Sequence, residues 1–317
     1  MQDFQEGFVN SPVDGTRIWY RYYNKGNGIP IVASNGIACD TSYWRYIVAD
    51  FQKTNPILIW DYRGHGHSDF PEDYKKSSLD ILVKDLNAIV EEIKLEKFVL
   101  TGHSMGVQVN YEYYKYYPKK IIGLIPVLGT YGKAFKTFFD SDIMERIFPF
   151  LYNFLTNFGN KAVSVIRPTL KTTLPYYIGL AMKSVNPCMA TKEDMQPYFD
   201  HMATMDFEFF GEMLNHLKEH DAESLLPQIK EPVLVIAGEN DTFTPLWLSQ
   251  KMRDLLPDAE LIVLKKGSHA ALVEQPDYIS CLIRDYLEKR VAPTLKPART
   301  EIKKPTKKKV EKKKIKK

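Results

Sequence analysis

The sequence predicts an α/β protein, a mostly parallel central sheet flanked by helices with an inserted all-helical segment. Three observations predict it. Short β-branched runs alternate with longer stretches of helical period, the pattern of strands joined by crossover helices. Between residues 130 and 225 the strand signal stops. The 317 residues, 44% hydrophobic and 26% charged, can bury a full core, which excludes a disordered or collagen-like chain.

TRIWYRYY (16–23) follows a Val-Asp-Gly turn and reads as the second strand of an N-terminal hairpin. PIVAS (30–34), PILIWD (56–61), KFVLTG (97–102), IIGLIPVL (121–128), PVLVIAG (232–238) and ELIVL (260–264) read as strands buried on both faces. Helices are expected between them, at about 42–52, 78–93, 105–117, 245–255 and 275–290. The second opens with Ser77 three residues before Asp80, a capping-box spacing. Residues 130–225 hold 16 of the 40 aromatics and 7 of the 10 methionines, with apolar residues at helical spacings such as Ile143, Ile147, Leu151, Phe154 and Phe158. That stripe is expected to pack the insertion onto the sheet domain, and the excess of soft apolar side chains favours an apolar or amphipathic ligand.

Formal charge is +4, but it is split along the chain. Residues 289–317 hold 14 Lys or Arg against 2 Asp or Glu, net +12, which leaves −8 on residues 1–288. Nucleic-acid binding by the whole protein therefore does not follow from a pI near 8.6. Residues 291–317, with three prolines and a lysine-rich end, are expected to form a disordered tail. Weak electrostatic contact of that tail with an anionic membrane surface or nucleic acid is its expected partnership, and no obligate protein partner is evident. Cys39, Cys188 and Cys281 lie far apart without CxxC spacing and read as small buried hydrophobes in a reducing compartment. The acidic N-terminus and the lack of a ~20-residue apolar run make a cytoplasmic protein the expectation, with peripheral membrane contact through the tail as its further option.

KFVLTG runs directly into Gly102-His103-Ser104-Met105-Gly106 and then a helical stretch. This is GxSxG in the context it requires, a tight strand-to-helix turn that lifts a serine hydroxyl clear of the sheet. A serine hydroxyl at neutral pH needs a base, itself oriented by an acid. Asp241 and His269 each lie in a loop just after a strand, where parallel sheets place working residues. Glu239, nearer its strand end, is the rival acid.

GHSMG, the DYRGHGHSD loop (61–69), the GENDTFTP turn (238–245) and GSHAALVEQP (267–276) together resemble the α/β-hydrolase superfamily over nearly all of residues 6–290. The resemblance implies an α/β-hydrolase core from 1–129 and 226–290, a helical lid at 130–225, and a catalytic triad of Ser104, Asp241 and His269. It assigns the oxyanion hole to the backbone N–H groups of Met105 and Ile37, with Asn35 and Ala38 replacing the usual histidine and proline. A plain Asn-Gly turn is the other reading of that segment. Relatives that open epoxides or displace halide use an aspartate at the elbow, so Ser104 points to acyl-type chemistry. The expected activity is hydrolysis of a carboxylic ester with an apolar acyl or alkyl part. Acyl transfer, haloperoxidase-like or carbon–carbon hydrolysis, and a non-catalytic ligand-binding relative are the alternatives. No cofactor or metal is called for.

His65 and His67 form an HxH pair, but the resemblance makes that loop structural, packing beneath the site. His103 is expected to pack beside the nucleophile. His216, Glu219 and His220 spell the HxxEH zinc motif formally, and read instead as a solvated helix end.

Overall fold

The structure, a computed structural model, describes residues 4–295. Eight strands, β1 (Gln5–Asn10), β2 (Arg17–Tyr23), β3 (Ile31–Ser34), β4 (Ile57–Trp60), β5 (Phe98–His103), β6 (Ile121–Val127), β7 (Val233–Gly238) and β8 (Ala259–Leu264), form one sheet in the order β1-β2-β4-β3-β5-β6-β7-β8. Strand β2 pairs antiparallel with β1 and β4; every other pairing is parallel. The apolar runs alternate between two packed faces, as period-2 side chains must. Val32, Leu58, Leu100 and Val235 face one core with α2 (Leu79–Glu92) and α3 (Met105–Tyr116). Ile31, Ile57, Val99 and Ile236 face the other with α1 (Arg45–Phe51) and, later in the chain, Ile279 and Ile283.

This order places the site. The chain runs outward from β3 to β4, then crosses back over β3 to β5. The strand order therefore reverses between β3 and β5, and outside the C-termini of these strands is where open α/β sheets bind ligands.

Between β6 and β7 come α4 (Ile143–Phe154), a π-helical turn (Leu155–Gly159), α5 (Asn160–Leu170), α6 (Leu174–Ala181), α7 (Lys192–Met202) and α8 (Phe207–Glu219). The expected inward packing of their apolar stripe is corrected in part. Leu151 is partly buried, but Ile143, Ile147, Phe154 and Phe158 are about half exposed, and the buried face of α4 is carried by Phe148 and then Leu155 against Phe209 and Met213 of α8. Glycine permits that close contact: a Cβ on Gly211 would lie 3.1 Å from the Leu155 Cβ. Asp194 and Thr191 form a capping box on α7, and Asp194 also ties the helix to the core, accepting from the Tyr46 hydroxyl at 2.7 Å.

Beyond β7 follow α9 (Leu246–Leu255), α10 (Ala271–Glu274), α11 (Pro276–Tyr286), a π-helical turn (Leu287–Val291) and α12 (Ala292–Leu295). Four local expectations need correction. Ser78, not Ser77, is the N-cap of α2 and bonds the Asp80 carboxylate, while Ser77 is buried. Strand β8 is an edge, with Val263 40% exposed rather than buried on both faces. Cys188 and Cys281 are exposed; Cys39 alone is buried. The body does not end at 290, because Val291 is fully buried and the helical path continues to Leu295. The rest of the lysine-rich segment, 296–317, lies outside the described residues. Among the described residues no helix is long and apolar enough to cross a membrane.

Candidate active site

Ser104 sits between the last residue of β5 and the first of α3, at φ 54° and ψ −119°. A non-glycine residue held there is strained, and the surroundings must enforce it. Two glycines let the turn close. A Cβ on Gly102 would lie 2.5 Å from the Gly106 carbonyl carbon, and one on Gly106 would lie 2.4 Å from the Ser34 carbonyl oxygen. The Ser104 N–H donates to the Val127 carbonyl at 3.1 Å, which fixes the bend to β6.

The loops after β7 and β8 bring two distant side chains to this serine. The Ser104 hydroxyl lies 3.1 Å from His269 Nε2, and His269 Nδ1 lies 2.9 and 3.1 Å from the two Asp241 oxygens. With Nδ1–H donating to the carboxylate, Nε2 is left as the acceptor facing the hydroxyl. Asp241 is buried. Burial works against its charge, yet the His269 imidazole and the Thr244 donors outweigh it and hold the carboxyl below its usual range. The Phe243 and Thr244 N–H groups donate to Asp241 at 2.9 Å, and the Thr244 hydroxyl at 2.7 Å. Glu239 instead accepts the Lys266 N–H at 2.8 Å, so the two acids are distinguished by what they face.

Met105 opens α3, where first-turn N–H groups have no acceptor within the helix. The segment 35–38 packs against the serine from the β3 side: a Cβ on Gly36 would lie 3.3 Å from Ser104 Cβ. It is tethered throughout to the loop after β4. Asn35 Nδ2 donates to the Trp60 carbonyl at 2.9 Å, and the Tyr62 hydroxyl donates to the Asn35 carbonyl at 2.6 Å. The Ala38 N–H donates to His65 Nε2 at 3.1 Å, and the Thr41 N–H to Asp61 at 2.9 Å. Ile37 is half-buried within this tethered segment.

The HxH pair diverges. His65 is buried under Ala38, where burial and then His201 lower its pKa to about 4; its Nδ1–H donates to the Arg63 carbonyl. His67 faces Asp61 and stacks on Trp19. Arg63 beneath them is fully buried, and its five N–H groups reach Asp85 twice, Asp14, Ser11 and the Lys76 carbonyl. His103 donates from Nε2 to the His269 carbonyl at 3.0 Å. His216 reaches the Lys75 carbonyl, whereas His220 is no solvated helix end: it lies against α3, between Gln108 at 3.0 Å and Glu112 at 3.2 Å.

Sequence reasoning missed Thr244 and Glu274. The Glu274 carboxylate, buried on α10, accepts the Ser268 N–H at 2.9 Å, the Ser268 hydroxyl, and the Asn186 N–H at 2.6 Å. It therefore supports the residue before His269 while holding the insertion's α6–α7 connection. It lies within GSHAALVEQP (267–276), a segment that carries the resemblance, but the resemblance assigns it no role there.

A family model described as alpha/beta hydrolase fold matches residues 29–276. The chain is 24% identical over 259 residues to Epoxide hydrolase 4 of Homo sapiens, covering 77% of this chain and 68% of that protein. An esterase from Thermogutta terrifontis superposes with a TM-score of 0.71 at 20% identity, covering 90% of this chain and 99% of that one. A bromoperoxidase from Bacillus anthracis superposes at 0.72 with 16% identity, covering 90% and 100%. These names span three chemistries, so the two structural likenesses carry the fold and leave the reaction to the residues themselves.

Proposed function

This chain belongs to the alpha/beta hydrolase fold family, and we propose that it hydrolyses carboxylic esters with an apolar acyl or alkyl part through an acyl-enzyme on Ser104. The observation that carries the reading is the Ser104 hydroxyl 3.1 Å from His269 Nε2, with the far side of the imidazole held by Asp241.

His269 takes the hydroxyl proton as the Ser104 oxygen attacks the ester carbon, and the carbonyl π-electron pair moves to oxygen. The Met105 and Ile37 N–H groups receive that oxyanion. As the tetrahedral centre collapses, the alcohol leaves with the proton from His269 Nε2. Water then repeats the sequence on the acyl-enzyme, with His269 as base and then as acid, releasing the carboxylic acid and restoring the serine. Asp241 remains ionised and stabilises the imidazolium at each stage.

Epoxide opening is disfavoured by the nucleophile. Attack of a serine oxygen on an epoxide carbon gives an ether, which water does not cleave under these conditions; an elbow carboxylate would give a hydrolysable ester. Aromatic rings support an apolar substrate. Phe243 lies 5.0 Å from the His269 ring, Phe138 from the start of the insertion lies 5.7 Å from Phe243, and the Tyr43 ring lies tilted against His103 at 4.7 Å between centroids. In this reading the 130–225 insertion is the lid that selects the acyl chain.

The test is a p-nitrophenyl ester series from acetyl to medium chain, run on the parent and on Ser104→Ala. Medium chains are expected to give the higher kcat/KM, and Ser104→Ala is expected to lose roughly 10⁴-fold or more of kcat. Equal turnover by parent and variant would refute the serine mechanism, and a preference for acetyl would refute the apolar pocket.

A further inference from the structure

Helices α4 and α5 and the π-helical turn between them run without a break from Ile143 to Leu170, about 42 Å at 1.5 Å per residue. One side is buried on α8. The other presents Ile143, Ile147, Phe150, Phe154 and Phe158, spaced by four, three, four and four residues and between 47% and 79% exposed, with Phe150 the most open. Helix α6 continues the theme, with Leu174 and Ile178 about half exposed. Isolated exposed apolar residues need no explanation, but a stripe along more than four turns of helix does.

Charge says what covers it. Residues 140–183 carry five Lys or Arg against three acids, Asp140, Asp142 and Glu145, net +2, within a body of net −8, and the acids all lie at the N-terminal end. Arg146 is paired with Asp142, but Lys161, Lys171 and Lys183 are exposed. A second copy of this face would set these cations against their own counterparts. An apolar stripe flanked by cations on an otherwise acidic molecule instead matches the interfacial zone of an anionic bilayer, where acyl chains accept the stripe and headgroups accept the lysines. We propose that the outer face of α4–α6 docks on an anionic lipid surface, with Phe150 inserted deepest. This inference is independent of the hydrolase reading, and its test reads binding rather than turnover.

The full chain is mixed with vesicles of phosphatidylcholine alone or with phosphatidylserine. The set comprises the parent, Phe150→Trp, the pair Phe150→Asp with Phe154→Asp, and the pair Lys161→Glu with Lys171→Glu. The double-aspartate variant keeps the lysine-rich C-terminal segment, so it separates attachment by the stripe from attachment by that segment. Co-sedimentation with the anionic vesicles is expected for the parent, and each double variant is expected to weaken it by at least about tenfold. Acyl chains carrying bromine are expected to quench Phe150→Trp beyond the parent's own tryptophans. Absence of parent binding, undiminished binding by the double-aspartate variant, or no added quenching in Phe150→Trp would each overturn the proposal. So would concentration-dependent dimerisation that the aspartates abolish, which would assign the face to a second copy.

Discussion

At position 38 the chain has a backbone N–H where the family resemblance leads one to expect proline, and that N–H is used, donating to His65 Nε2 at 3.1 Å. The buried imidazole can accept because its Nδ1–H is committed to the Arg63 carbonyl. The departure at Ala38 and the first histidine of the HxH pair thus form one device that orients the segment bearing Ile37. Replacing His65 by Leu leaves a buried N–H without its acceptor, for an expected loss of about 1–3 kcal/mol of stability. Because Ile37 would lose its fixed direction, kcat on esters is expected to fall more than KM rises, and His65→Gln, which restores an acceptor oxygen, should recover part of it. Steady-state kinetics and urea melts on the two variants check this; a Leu variant with unchanged kcat would remove His65 from the oxyanion support.

Among the elements, the loop after β4 works through Arg63, which fastens it to the hairpin turn at Asp14 and to α2 at Asp85. Asp85→Ala would strip a fully buried guanidinium of its bidentate partner, and urea melts are expected to show a loss of about 3–5 kcal/mol. The strands and the elbow were legible in the sequence because their demands are local: β-branched runs bounded by turns, and glycines where a Cβ would collide with backbone. Asp241 and His269 were legible as candidate acid and base because each follows a strand in this topology. The packing of α4 was not, since Phe148 and Leu155 on one side and Ile147 and Phe154 on the other are equally apolar; periodicity then gives faces without saying which is inward. The Ser77–Asp80 spacing pointed one residue too early, because the chain turns into the helix only at Ser78. Thr244 and Glu274 escaped notice because their work is set by what folding brings beside them.

For the molecule as a whole, two fully buried neutral histidines link the fold to pH. Burial first, and a neighbouring histidine second, lower His65 to about 4 and His103 to about 3; the neighbours are His201 and His269. Both rings are neutral in folded and unfolded chains above the ordinary histidine value of about 6.5. As pH falls below it, the unfolded chain takes up protons that the folded chain refuses, so stability is full at neutral pH and declines toward pH 4. Each ring contributes roughly 1.4 kcal/mol per pH unit across that window. Urea melts between about pH 7 and 4.5 are expected to show the decline, and His103→Asn to make it shallower; a flat profile in the parent would mean that these rings accept protons in place.

Glu274 is one of several ties between the insertion and the loop that carries His269, beside the Ser268 hydroxyl on the Ser184 carbonyl and Asn186 Nδ2 on the Lys266 carbonyl. Its oxygens hold Ser268, next to the imidazole, and Asn186, in the stem of the insertion. A swing of that stem would drag on the same anchor that steadies the loop bearing His269. Movement of that stem and the placing of the His269 ring are thereby linked through this carboxylate and the hydrogen bonds beside it.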